Sequence, residues 1–187
     1  MLITKRFEFS YAHILPNHSG KCKRLHGHNG VLEVTVSGEP HGDETYEGVR
    51  PPRSDEGMVI DFGDLKQIVK DVVVDQWDHR FLAKGDEWPA IIGSLMQEVK
   101  QFVDEMLSPR MKGWLGPLLD IDLSDQIVRV GVRTTAENLA KLSFGQIIHA
   151  LSNPPLLESV KFYETPDSWA EYTLQDYYKD HSVKEDR

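Results

Sequence analysis

Cysteine is almost missing from this chain, with one residue in 187. A single thiol rules out an internal disulfide framework and the cysteine-rich zinc modules, and it fits a reducing compartment. Positive charge is also short: 21 Lys and Arg stand against 30 Asp and Glu, a net charge of -9. That balance argues against a sequence-independent grip on nucleic acid or on an anionic membrane, so any bound phosphate must meet a local basic cluster. No apolar run approaches the roughly 18 residues of a membrane span, and Met1 to Arg6 lacks the long apolar stretch of a secretory signal. A cytoplasmic protein with no membrane or nucleic-acid partner is expected. No internal repeat and no low-complexity tract interrupts the chain. What remains is an ordinary globular composition, 40% hydrophobic and 27% charged, sized for a single domain over residues 1–187.

Hydrophobic periodicity then orders the elements. Ile3, Phe7, Phe9 and Tyr11 share one parity against Thr4, Arg6, Glu8 and Ser10, the pattern of a half-buried strand. A second strand is predicted over Val31–Ser37, a long polar loop over His41–Glu56 and a short strand over Gly57–Ile60. Leu65, Ile68, Val69, Val72 and Val73 then mark a helix that opens at Asp61 or Gly63 and runs to about Asp75. Another helix is predicted over Pro89–Leu107, inside an insertion at about 86–128. A further helix opens at Thr134 or Thr135, where Thr134-Thr-Ala-Glu137 has the form of a capping box, and Asn153-Pro-Pro155 stops it. Two strands at Glu158–Glu164 and Trp169–Thr173 follow, and a charged, frayed tail covers about 175–187. Strands, helices, then strands with short connections describe an α+β fold: an antiparallel sheet with two helices on one face plus the inserted helix.

The chemistry concentrates before the second strand. His26-Gly27-His28 sends two imidazoles to one side of an extended backbone, and His13 ends the first strand on the parity of Phe9 and Tyr11. Three imidazoles are the ligand set of a catalytic zinc, with one position left for water or substrate; an exposed turn carrying two histidines is the plainer alternative. Cys22 lies among Lys21, Lys23 and Arg24, a positive setting that favours a thiolate nucleophile or base, although a buried inert thiol or a fourth zinc ligand is equally compatible with its position. Asp78-His79 ends the first helix. The pair suits proton transfer, whereas a histidine that merely offsets the helix dipole needs no further role. Glu164 shares the parity of Val160 and Phe162, so an inward carboxylate could receive two parallel N–H groups of a purine-like or pterin-like ring, unless it is an exposed strand-end residue. Glu137 is accounted for by the capping box.

Taken together, His13, Cys22, His26-Gly-His28, Gly57-Met-Val-Ile-Asp-Phe62, Asp78-His79, Thr135-Ala-Glu-Asn-Leu-Ala140 and Glu164-Thr165 resemble the family of 6-pyruvoyltetrahydropterin and 6-carboxytetrahydropterin synthases. The likeness spans about Ile3–Leu82 and Thr134–Thr173; Trp77, Ala136 and the 86–128 segment depart from the family pattern. It implies the tunnelling fold, Zn2+ on His13, His26 and His28, catalysis by Cys22 with Asp78 and His79, and pterin binding by Glu164 and the loop at Thr135. It also implies a homo-oligomer, a hexamer formed as a dimer of trimers. Three residues between Cys22 and His26 are similar to the spacing in the 6-carboxy synthases of queuosine formation, which implies 7,8-dihydroneopterin triphosphate as substrate, with Lys21, Lys23 and Arg24 near its phosphates. A 6-pyruvoyl product or a folate-pathway cleavage would use the same residues. A zinc hydrolase or a zinc-stabilised binding module are the readings from other classes.

Overall fold

Alternating side chains create two long strands, β1 (Leu2–His13) and β2 (His26–Ser37), each longer than its sequence pattern announces. β1 buries Phe7, Phe9, Tyr11 and His13 on one parity, and β2 buries Leu32, Val34 and Val36. The computed structural model describes residues 1–41, 55–85, 87, 93, 97, 101, 105, 124–151 and 156–182. Its further strands are β3 (Arg80–Lys84), β4 (Ile127–Val130), β5 (Leu156–Thr165) and β6 (Ser168–Thr173), in a sheet of order β4-β3-β1-β2-β5-β6. The helices are α1 (Phe62–Val69), α2 (Asp75–Trp77), α3 (Ala136–Ala150) and α4 (Leu174–Ser182). The α+β class stands. The sheet, however, is mixed and not antiparallel, because β3 and β4 pair in parallel from Phe81 opposite Ile127 to Lys84 opposite Val130. A parallel pair needs a long crossover, so the chain between β3 and β4 has a topological reason to be long, and β4 takes the end of the segment assigned to the insertion.

Backbone packing divides the chain into two compact units. The larger comprises Met1–Tyr11, Gly27–Asp78 and Thr135–Arg187. Its core is a group of rings: Phe162 lies edge-on to Phe9 and Tyr11 at 6.0 and 5.6 Å between centroids, and Trp77 stands 6.3 Å from both Phe9 and Phe162. Trp77, the departure from the family pattern, is 1% exposed and belongs to this core. β5 runs antiparallel to both β2 and β6. Glu158 is an extra residue opposite β2, which is why burial switches from Leu157 to Val160 and Phe162.

The helix after Asp61 forms as predicted, with the Asp61 carboxylate accepting the Gly63 amide as its N-cap. Its burial differs from the simple stripe. Lys70–Val74 form a π-helical turn between α1 and α2, and this wider turn rotates the face so that Leu65, Val69, Val73, Val74 and Trp77 are buried while Ile68 and Val72 are only half-buried. The strand expected over Gly57–Ile60 is absent. Asp55–Gly57 is a turn, Gly57 has a φ of 77°, and only two backbone bonds join this stretch to His41. The capping box at Thr134 does not form either: Thr135 is the N-cap of α3, without a side-chain cap bond, and Glu137 therefore sits one position too early.

The expected frayed tail is helical over Leu174–Ser182. Thr173 and Asp176 exchange a backbone and a side-chain bond in a capping box, and the Asp180 carboxylate receives Lys141 and the Tyr172 hydroxyl. Phe144 stacks against Tyr172 and Tyr177, which ties α3, β6 and α4 together.

The smaller unit comprises Ala12–His26 and His79–Thr134. It holds β3, β4 and a loop closed by the Leu15 amide on the Cys22 carbonyl at 2.9 Å, with Lys21–Lys23 in a 3-10 turn. Of the helix expected over Pro89–Leu107, Gly93, Gln97, Gln101 and Glu105 are described; all are helical and exposed. The remaining positions of that expected helix, the loop over 42–54, the stretch around Trp114, the 152–155 stop and the tail over 183–187 lie outside the described residues.

Two outcomes test this packing. Phe162→Ala removes the ring on which Phe9, Tyr11 and Trp77 meet and is expected to lower stability by about 3–5 kcal/mol in urea unfolding. Thr173 holds the Asp176 carboxyl, and Lys141 then Tyr172 hold that of Asp180, below their usual 3.8. A lowered folded value means that docking of α4 has its full support above pH 3.8 and loses it as pH falls further. Near-UV circular dichroism of the Phe144–Tyr172–Tyr177 group should therefore weaken in acid, and in Asp180→Asn should already be weaker at neutral pH.

Candidate metal centre

His13 ends β1 and is 1% exposed. Its Nδ1 lies 2.7 Å from the Thr134 carbonyl oxygen. His26 opens β2, and its Nδ1 lies 2.7 Å from the carbonyl oxygen of Arg24. A carbonyl only accepts, so each Nδ1 carries the hydrogen and each neutral ring keeps its lone pair on Nε2. Those two Nε2 atoms face one another at 3.1 Å. Two lone pairs at that separation repel unless a cation lies between them. With metal–nitrogen bonds of about 2.0–2.1 Å, tetrahedral ligands sit roughly 3.3 Å apart, so the observed spacing fits a shared ion. His28 completes the set: one nitrogen from each of His13, His26 and His28 lies within 4.8 Å of the others. The donor chemistry and the carbonyl-anchored tautomers both suit a divalent metal.

The exposed-turn alternative for His26-Gly-His28 is thereby set aside, since both residues lie in β2 and are half-buried. Cys22 is not a member of the three-histidine group and is partly exposed in its 3-10 turn. Lys21 and Arg24 are exposed; Arg24 takes part through its carbonyl. Asp78 caps the helix C-terminus, and its Oδ1 accepts the Ser10 amide at 2.9 Å. His79 follows with a φ of 57°, a left-handed conformation that costs a non-glycine residue about 1–2 kcal/mol, and it is exposed. Thr135 is half-buried with its hydroxyl not used as a cap.

Glu164 occupies a bulge. Tyr163 pairs with Trp169 and Thr165 with Ser168, so Glu164 has no opposite residue in β6, a placement that re-aims a side chain. Its charge reaches Tyr11, whose hydroxyl is pushed up chiefly by burial and then by Glu164, and stays a neutral phenol. Sequence reasoning named Thr134 as a helix start and Arg24 as a phosphate contact but missed what their backbone carbonyls do, since a carbonyl leaves no trace in residue type. It also missed Tyr11, which shares the parity of His13 and could have been found by it.

Residues 2–175 match the family described as 6-pyruvoyl tetrahydropterin synthase. A 6-carboxy-5,6,7,8-tetrahydropterin synthase of Haemophilus influenzae is 34% identical over 171 residues, covering 91% of this chain and 96% of that protein. The enzyme of the same name from Rickettsia bellii is 27% identical, covering 90% and 96%. An uncharacterized protein from Wolinella succinogenes has a similar structure, with a TM-score of 0.61 at 24% identity and 93% and 98% of the two chains covered. The 6-pyruvoyl tetrahydropterin synthase of Caenorhabditis elegans gives 0.55 at 24%, with 92% and 94% covered. At that identity the structural likeness speaks for the fold.

A metal at the three imidazoles should raise stability by linkage, about 4 kcal/mol at a free concentration a thousandfold above its dissociation constant. Calorimetry of chelator-treated chain with and without added divalent ion checks this, and the gain should vanish in His13→Ala.

Proposed function

This chain belongs to the 6-pyruvoyl tetrahydropterin synthase family, and on that basis we propose that it is a zinc-dependent lyase converting 7,8-dihydroneopterin triphosphate and water into 6-carboxy-5,6,7,8-tetrahydropterin, acetaldehyde and triphosphate. The observation that carries the reading is the pair of carbonyl-anchored imidazoles whose Nε2 atoms meet at 3.1 Å. The 34% identity to a 6-carboxy synthase over nearly its whole length favours the carboxy product.

His13, His26 and His28 hold the ion, which when bound supplies an electrophile for the hydroxyl oxygens of the substrate side chain. Cys22, in a turn with Lys21 and Lys23, removes the proton from the adjacent carbon as the general base. Asp78, its carboxylate anchored by Ser10, orients His79, which returns protons to the product side. A histidine kept in a left-handed position, where glycine is the easier choice, supports a chemical role for His79. Glu164 receives the N–H edge of the pterin from its bulge, with Thr135 beside the ring. Lys21 and Arg24 are exposed cations suited to the triphosphate of an otherwise acidic protein. A tunnelling-fold hexamer built as a dimer of trimers, working in the cytoplasm on a queuosine precursor, completes the reading. Among the described residues no helix is long and apolar enough to cross a membrane.

Incubation of the purified, zinc-loaded chain with dihydroneopterin triphosphate and mass identification of the pterin tests it. Carboxytetrahydropterin with acetaldehyde is expected; a 6-pyruvoyl product would reassign the reaction within the family, and no turnover would overturn it. Cys22→Ala should keep one zinc per chain by elemental analysis and lose at least about 100-fold in rate, the scale of a removed general base. Loss of zinc in that variant would make the thiol a ligand, and retained turnover would favour a hydrolase using metal-bound hydroxide.

A further inference from the structure

Tyr11 stands between His28 and the aromatic core of the larger unit. Its ring lies 5.5 Å from the His28 imidazole, tilted by 32°, and 5.6 Å from Phe162, edge-on. The side chain is 3% exposed and its hydroxyl is buried. The seat is cut to fit on the facing strand: a Cβ on Gly30 would come within 2.9 Å of Tyr11 Cε1 and 3.2 Å of Cδ1, and one on Gly27 within 3.1 Å of the Tyr11 carbonyl oxygen. Contacts under 3.0 Å force something to move, and the nearest atoms here belong to a packed ring. Gly30 is itself buried and has an ordinary strand conformation, so close approach and not backbone freedom explains the missing side chain.

We propose that Tyr11 is a positioning residue: its ring, seated on Gly30, sets the imidazole of His28 for metal binding. The proposal rests on the function given above for His28 and adds the residue that seats it. Supporting groups of this kind fix ligand orientation, and their loss commonly weakens metal binding 10- to 100-fold. The ring, not the hydroxyl, makes this contact.

The test uses the full-length chain with Co2+ as the metal probe. Tyr11→Phe, which keeps the ring, is expected to keep the parent's Co2+ absorption bands and affinity. Tyr11→Leu is expected to shift the Co2+ bands and weaken Co2+ binding by 10-fold or more. Gly30→Ala, which adds a single methyl group under the ring, should reproduce that shift; it carries the test should Tyr11→Leu fail to fold. Unchanged Co2+ bands and affinity in folded Tyr11→Leu or Gly30→Ala, or bands shifted as far in Tyr11→Phe as in Tyr11→Leu, would overturn the proposal. A parent chain that binds Co2+ yet turns over no pterin would sink the proposed reaction and leave the seat standing. Variants indistinguishable from an active parent would do the reverse.

Discussion

Two imidazoles that each give their Nδ1 hydrogen to a main-chain carbonyl have no choice about where their lone pairs go. At His13 and His26 the two Nε2 atoms meet at 3.1 Å, a spacing that suits a shared metal ion. Much of the local structure serves that one constraint. The carbonyl of Thr134 must lie at the end of β1, just ahead of α3, and that of Arg24 must close the turn before β2. The loop between the strands is held by the Leu15 bond to the Cys22 carbonyl, which keeps the sole cysteine on a fixed path two residues from Arg24. Backbone atoms, which every residue possesses, therefore do the selecting.

Behind the site, rigidity comes from aromatic packing. Phe9, Tyr11, Trp77 and Phe162 meet at tilted or edge-on angles, a geometry that favours ring pairs and resists sliding. β1 supplies Phe9 and Tyr11 to this core and ends on His13, a member of the three-histidine group. Glu158 and Glu164 show how β5 departs from regular pairing at two places, the first shifting burial along the strand and the second shifting its register with β6.

Long, strictly alternating strands were legible, and so were the Asp61 cap and the three histidines, because each depends on near neighbours in sequence. β3 and β4 were not: four or five residues such as Arg80–Lys84 carry too little periodicity, and a parallel partner more than 40 positions away leaves no turn signal. The capping box slipped by one residue at α3, since Thr134 and Thr135 look alike until the Thr134 carbonyl is seen bound to His13. A charged tail became α4 because Thr173 and Asp176 cap it and Phe144 gives its tyrosines a surface.

Residue types and their spacing alone determined the class of fold, the candidacy of the three imidazoles and, from one cysteine, the exclusion of an internal disulfide. Only the tertiary structure decided which nitrogen of His13 and His26 meets a carbonyl, where Glu164 shifts out of register with β6, and why residue 30 bears no side chain. Those outcomes turn on carbonyl positions, strand register and the room around a ring, all of them set by contacts between distant parts of the chain.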